Sequence, residues 1–267
     1  MLFRSVSALR QKLPDWVILN IPHDSVFIPH TLRKKIFLTD GELDRELIRM
    51  TDFWTHALFA GAVPLSRMVI APVSRLVVDT ERFADDSLES MASRGMGVIY
   101  TATSDLDPLR KSPTQREKER LLRTWYVPHH RRLERLVDTF LKTYGKALIV
   151  DCHSFPSKAL HYEKSPRERR PEICLGTDGF HTPETLQKEA YEALSRAGFD
   201  VAFNAPFSGA LTPLKHYRKD PRVASLMLEV RRDLYEDESS AAVTLNFPRV
   251  ARLLQNSLAR AVENGKG

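Results

Sequence analysis

Three apolar runs close on side chains that can do chemistry. Residues 148–156, LIVDCHSFP, set Asp151, Cys152, His153 and Ser154 directly behind Leu-Ile-Val; residues 16–23, WVILNIPH, lead to His23; residues 225–230, SLMLEV, carry Glu229 among aliphatics. In open α/β sheets, ligands bind beyond the carboxyl ends of the strands, so the residues closing such runs are the ones to weigh. Two histidines at two strand ends with one carboxylate form the usual ligand set of a catalytic zinc, which keeps a fourth position open for water. The third ligand lies between Asp52, on the helix expected after the first strand, and Asp24, beside His23. A residue adjacent to a ligand tends to point away from it, which favours Asp52. Asp151 is placed to accept a ring N–H from His153. Glu229 is expensive to bury without a partner or a task. Either Arg231 or Arg232 pairs with it, or it serves as the base for a water, its pKa raised by desolvation.

Residues 74–82, SRLVVDTER, flank another run that ends on Asp79 with Arg75 and Arg82, and arginine's planar fork grips carboxylates at two points. The segment Asn204-Ala205-Pro206-Phe207-Ser208-Gly209 reads as a turn with polar side chains near the strand ends. A metal-free thiol hydrolase on Cys152 is the competing chemistry. It needs a distant base such as His216, because Cys152 and His153 are adjacent and project differently.

The elements that must hold these residues show in the periodicity. Short apolar runs alternate with segments of 3.6-residue period, which predicts an α/β fold of three layers, a mainly parallel mixed sheet with helices on both faces. Strands are expected at residues 16–20, 68–71, 76–79, 97–101, 147–151, 173–176, 200–204 and 225–230. Thr39 with Glu42 forms a capping box ahead of a helical run through residues 43–60, and Ser112-Pro113-Thr114-Gln115 forms another ahead of a run to Gly145 that Pro128 kinks or divides. Further helices open at Thr182-Pro183-Glu184 and near Pro248. Residues 83–96 and 154–171 are long loops, of the kind that usually carry function.

The chain's 267 residues, 42% hydrophobic and 28% charged, suit a single domain spanning 1–267. No apolar run approaches the roughly 18 residues of a membrane span, and the first residues lack a leader's apolar region, so a cytoplasmic enzyme without a membrane partner is expected. Two cysteines, Cys152 and Cys174, exclude a disulfide scaffold and a four-cysteine zinc site. The formal charge of +6 and the run RERR at residues 167–170 raise nucleic-acid binding. The basic residues of 116–135 alternate with Glu117, Glu119 and Glu134 as on a solvated helix face, which argues against it. A basic balance equally suits a small acidic substrate.

Five motifs in order, Pro22-His23, SRLVVDTER, DCHSFP, NAPFSG and EVRRDLY, resemble the N-formylglutamate amidohydrolase family from Trp16 to the final helix. The resemblance implies a phosphorylase/hydrolase-like fold related to zinc carboxypeptidases and acyl-amino-acid deacylases. It implies one zinc on His23, Asp52 and His153, with Glu229 as general base and Arg75 beside it at the reacting carbonyl. It places Arg75 and Arg82 where related enzymes bind the substrate carboxylate or the developing oxyanion of an N-acyl amino acid such as N-formylglutamate; Arg82 and the strand-end residues Asn204 and Asp79 are the expected substrate contacts. Departures cluster around the substrate: Asp24-Ser25 replaces Ser-Gly, Glu81 stands where Asn is frequent, Ala210 replaces a glycine, Lys215-His216-Tyr217-Arg218 replaces His-Tyr-Gly, and Arg231 replaces Asn. A larger peptide-like substrate, or a silent anion-binding module using Arg75 and Arg82, remain the alternatives.

Overall fold

The computed structural model describes residues 12–163 and 170–265. Arg167 to Arg169 of the basic run lie outside the described residues, as do the first eleven. Six strands form one sheet in the order β2-β1-β3-β6-β4-β5: β1 Val17–Ile21, β2 Met68–Ile70, β3 Ala147–Phe155, β4 Ile173–Gly176, β5 Val201–Phe203 and β6 Val223–Arg231. Strands β2, β1, β3 and β6 are parallel neighbours, β4 runs antiparallel to β6, and β5 is parallel to β4. The expected mixed, mainly parallel sheet is the one observed.

Alternation along each strand supplies the three layers. Ile18, Val69, Ala147, Ile149 and Val223 pack on one face against Leu133, Val137 and Phe140 of helix α5 (Val127–Tyr144). Their neighbours Val17, Leu19, Leu148, Val150, Cys152, Leu226 and Leu228 face the other way. They pack against α3 (Thr55–Leu58), α6 (Glu184–Arg196) and α7 (Phe247–Asn264). On the α5 side the same register continues as Asn20, Asp151, His153 and Glu229. That face therefore changes from apolar to polar along the strands, while the opposite face stays apolar through Cys152 and Leu228. Strand β3 does not end at Asp151, as its apolar run suggested, but continues through Phe155 with every residue buried.

Two expected strands are absent. Residues 76–79 form turns in which Val77 N donates to Ser74 O, and residues 97–101 are irregular, joined to them by Asp79 N to Val98 O at 2.9 Å. Both are apolar because they are buried, in clusters with Leu32, Leu121 and Met50, and a short all-apolar run does not distinguish a strand from a buried turn.

Helix α2 (Asp40–Met50), which follows the one-turn α1 (His30–Arg33), starts at the expected box, with Thr39 N donating to Glu42 Oε2 at 2.8 Å. The expected continuous run breaks at residues 51–54, where Thr51 is extended and Trp54 takes a φ of 66°. Asn246, Tyr235 and Trp54 anchor the surrounding loops; Tyr235 Oη donates to Phe53 O at 3.0 Å and Trp54 Nε1 to Ala241 O at 2.8 Å. The second box uses Thr114 and Glu117, opening α4 (Gln115–Leu121), and a π-turn at Leu122–Tyr126 joins it to α5 around Pro128. Gly176 ends β4 where a Cβ would meet Gly209 O at 2.3 Å, so the turn after β5 packs directly on backbone.

Because α2 delivers the break that holds Asp52, its cap matters to the site. Thr39→Ala should lower stability by about 1 kcal/mol and the thermal midpoint by roughly 2–4 °C. Calorimetry checks this, and an unchanged midpoint would contradict it.

Candidate active site

The polar half of the α5 face opens into a cavity of about 350 Å³ whose wall includes His23, Asp52, His153 and Glu229. Three ligand-type atoms meet there. His23 Nδ1 lies 3.2 Å from His153 Nδ1, His153 Nδ1 lies 3.2 Å from Asp52 Oδ2, and His23 Nδ1 lies 3.5 Å from Asp52 Oδ2. Zinc bonds of about 2.0–2.1 Å at tetrahedral angles place neighbouring ligand atoms about 3.3–3.4 Å apart. The donor set and its spacing thus fit one face of a zinc tetrahedron.

Backbone geometry makes this convergence. Asp52 N donates to His23 O at 2.9 Å, stapling the break after α2 to the segment after β1. His153 and Glu229 are directly paired across β3 and β6, so their side chains leave the same face side by side. Asp24 goes elsewhere: its carboxylate accepts from Trp54 N at 3.0 Å and His56 N at 2.9 Å at the start of α3.

Each triad member is held from behind. His23 Nε2 donates to Asp79 Oδ1 at 2.8 Å, leaving Nδ1 as the ring's acceptor. Arg232 Nη2 donates to Asp52 Oδ1 at 2.8 Å and Arg232 Nε to Ser154 Oγ at 3.1 Å. His153 Nε2 lies 3.2 Å from Asp151 Oδ1, without hydrogen-bond geometry to any described partner. Asn20 Nδ2 bridges Asp151 Oδ1 at 2.8 Å and Glu81 Oε1 at 2.7 Å, and His129 Nε2 donates to Asn20 Oδ1 at 2.9 Å.

Burial alone would raise the Asp52 pKa, but hydrogen bonds from His153 and His23 and the Arg232 charge hold it well below the carboxylate range. Asp79 is likewise low, burial being outweighed by the charges of His23 and Arg75. His153 is raised well above its ordinary value, burial being overcome by Asp151 and Asp52. Glu229 stands apart: burial pushes its carboxyl up to about 7, and Oε2 is buried without a hydrogen-bond partner among the described residues. Neither suggested arginine pairs with it. Arg231 Nε donates to Asp233 Oδ1 at 2.7 Å, and Arg232 is engaged by Asp52.

The expected substrate residues divide. Arg75 and Arg82 line the cavity. Arg75 donates to Asp79 at 2.9 Å, whereas Arg82 reaches carboxylates only at longer range, Nε 3.7 Å from Asp79 Oδ2 and Nη1 3.6 Å from Glu89 Oε1, and its buried Nε has no hydrogen-bond partner among the described residues. Asp79 does not reach the cavity wall; Arg75, Tyr100 and His23 occupy its carboxylate, so it supports the site from behind. Asn204 is also set apart. Strand β5 is antiparallel to β6, which sends its carboxyl end away from Glu229, and Asn204 is exposed with its side chain on Thr177 N and Oγ1, both at 2.9 Å. Phe207 and Ser208 of the same turn line the cavity instead. Cys152 points into the opposite core, where burial pushes its thiol well up, which counts against a nucleophilic role. Tyr100, Asn20 and Arg232 were not singled out as parts of the site; of these only Asn20, at the end of WVILN, carries a strand-end signal.

A family model for N-formylglutamate amidohydrolase matches residues 16–236. The chain belongs to the N-formylglutamate amidohydrolase family. Among solved structures, the N-formylglutamate amidohydrolase of Ralstonia eutropha JMP134 superposes with a TM-score of 0.78 at 24% identity, over 95% of this chain and 94% of that one. A gene product of Agrobacterium tumefaciens gives 0.67 at 19% identity, over 93% and 90%. These likenesses show the shared fold. No curated protein matches the chain. Within the N-formylglutamate amidohydrolase family pattern, the departure at Glu81 falls on the cavity wall, next to Arg82.

The two candidate third ligands can be separated by elemental analysis. His153→Ala and Asp52→Ala should each lose bound zinc, whereas Asp24→Asn should retain it at the native stoichiometry. Zinc retained in the first two and lost from the third would reverse the assignment.

Proposed function

We propose that this protein is a zinc-dependent amidohydrolase that cleaves the N-acyl amide of a small acidic amino-acid derivative, with N-formylglutamate the first candidate. The observation that carries the reading is one constellation: two histidine Nδ1 atoms and a carboxylate at zinc spacing, with an unpaired Glu229 in register beside His153 on the same cavity wall. Family membership and the Ralstonia eutropha neighbour, an N-formylglutamate amidohydrolase by name, support the substrate class.

Zinc held by His23 Nδ1, His153 Nδ1 and Asp52 Oδ2 would polarise the substrate carbonyl and acidify water. The chain's own residues perform the remaining work. Glu229 takes the proton of the attacking water on its carboxylate and delivers it to the departing nitrogen, and a carboxyl with a pKa near neutrality can do both. Arg82, which lines the cavity and is held only at ion-pair distance by Asp79 and Glu89, grips the substrate carboxylate. Arg75, fixed by Asp79 and Tyr100, presents positive charge where the carbonyl oxygen gains negative charge. Arg232 and Asp79 keep Asp52 and His23 oriented. A cavity of about 350 Å³ suits a small ligand.

Zinc analysis followed by hydrolysis assays on N-acyl amino acids is the direct test, with N-formylglutamate expected among the best substrates; a loaded protein inert towards the whole set would overturn the reading. Glu229→Gln should keep its zinc and lose roughly 10²–10⁴ in turnover. Arg82→Ala should raise KM by about 10- to 100-fold, from the loss of a charged hydrogen bond worth roughly 1.5–3 kcal/mol. Glu229 must be ionised to accept a proton, so activity falls as pH drops through its pKa. A nearby cation lowers a carboxyl pKa, which places the acid limb of the kcat/KM profile at or below pH 7. A limb clearly above pH 7.5 would contradict Glu229 as the base.

A further inference from the structure

A second cavity, of about 390 Å³, shares no lining residue with the first. Its floor is apolar: Leu32, Ile99 and Leu121 are each at most 7% exposed and cluster with Val77 and Val78, and Phe37, 55% exposed, stands at the rim. Its charge is one-sided. Lys34, Lys35, Arg110, Lys111 and Arg120 line it against the single acid Glu117, which is engaged by Lys35. Among the described residues, Lys34, Lys111 and Arg120 have no ion-pair partner.

Arg110 is the unusual member. It is only 6% exposed, and Nη2 donates to Leu76 O. Its Nε is buried without a hydrogen-bond partner, and no carboxylate pairs with it among the described residues. Burial pushes its pKa down to about 10, so it stays charged near neutral pH. Leaving a guanidinium buried and unpaired costs far more than leaving a cation at the surface. An anion beside it would remove that cost, and a carboxylate matches the guanidinium edge. The apolar floor selects the rest of the ligand.

We propose that this cavity is a second binding site, for an amphiphilic monocarboxylate whose apolar body rests on Leu32, Ile99 and Leu121 while its carboxylate meets Arg110. Lys34 and Lys111 add attraction at the surface. The position gives the site a route to the first one: Arg110 holds the carbonyl of Leu76, next to Arg75, and the floor packs on the same segment that carries Asp79.

Calorimetric titration of the full chain with octanoate, octanol and octylamine tests this. Octanoate should bind saturably, octanol at least about tenfold more weakly, and octylamine not detectably. Arg110→Gln should weaken octanoate at least about tenfold. Because Arg110 also ties Leu76, the surface double variant Lys34→Gln/Lys111→Gln gives an independent reading and should weaken octanoate measurably and flatten its salt dependence. Arg82→Ala, in the first cavity, should leave octanoate affinity unchanged. No saturation, equal binding of the three probes, unchanged affinity in both cavity variants, or loss in Arg82→Ala would each overturn the proposal.

Discussion

The hydrogen bond from His23 Nε2 to Asp79 decides which nitrogen of that ring has a lone pair to offer, and much of the site follows from it. Asp79 remains ionised because His23 and Arg75 outweigh its burial, so it acts only as an acceptor and fixes the imidazole tautomer. Nδ1 is then turned towards His153 and Asp52, at the separations a tetrahedral ion requires. Asp79 is itself held by Arg75 and Tyr100, which belong to the irregular segments around residues 74–82 and 97–101. Those segments are apolar for a reason: their packing sets the position of one buried carboxylate.

The sheet does the coarser positioning. On the α5 face, the amino halves of β1, β3 and β6 are covered by Leu133, Val137 and Phe140, while the carboxyl halves carry Asn20, Asp151, His153 and Glu229. The opposite face remains apolar through Cys152 and Leu228, so the strands stay anchored in the core even where they carry charge. His153 and Glu229, on strands paired over nine residues, are more precisely held than side chains on loops. It also explains the sequence LIVDCHSFP: the polar residues do not end the strand, and Cys152 faces the core between two residues that face the site.

What could be read before the structure was therefore whatever local pattern encodes. Helix caps announce themselves by their motifs, and His23, His153 and Glu229 because a costly polar residue stands beside aliphatic ones. Residues 76–79 misled because burial, rather than pairing, made them apolar. Asn204 misled because the reversed direction of β5 is a property of the sheet, not of its five residues around the turn. Arg232 looked like a partner for Glu229 by proximity in sequence, yet a three-residue 3₁₀ turn at Arg232–Leu234 follows the strand and its guanidinium reaches Asp52, 180 residues away. Contacts of that range leave no trace in spacing.

Charge balance links these pieces. Asp52, Asp79, Glu81, Asp151 and Glu229 gather around the guanidiniums of Arg75, Arg82 and Arg232, and Arg82 and Arg232 also face Glu89 and Glu236, so carboxyl groups outnumber guanidiniums here. The excess is met by protons: Glu81 is raised well above its ordinary value by burial and by Asp151, Glu229 rises to about 7, and His153 is raised as well. A divalent cation among His23, Asp52 and His153 would add two positive charges to this carboxyl-rich cluster. His153 would then give up its proton, as ligation demands, and Glu229 would ionise more readily beside the ion. The same electrostatics that would favour a cation in the pocket would then shift Glu229 further towards its ionised form when the cation binds, linking metal binding to proton transfer in the proposed mechanism.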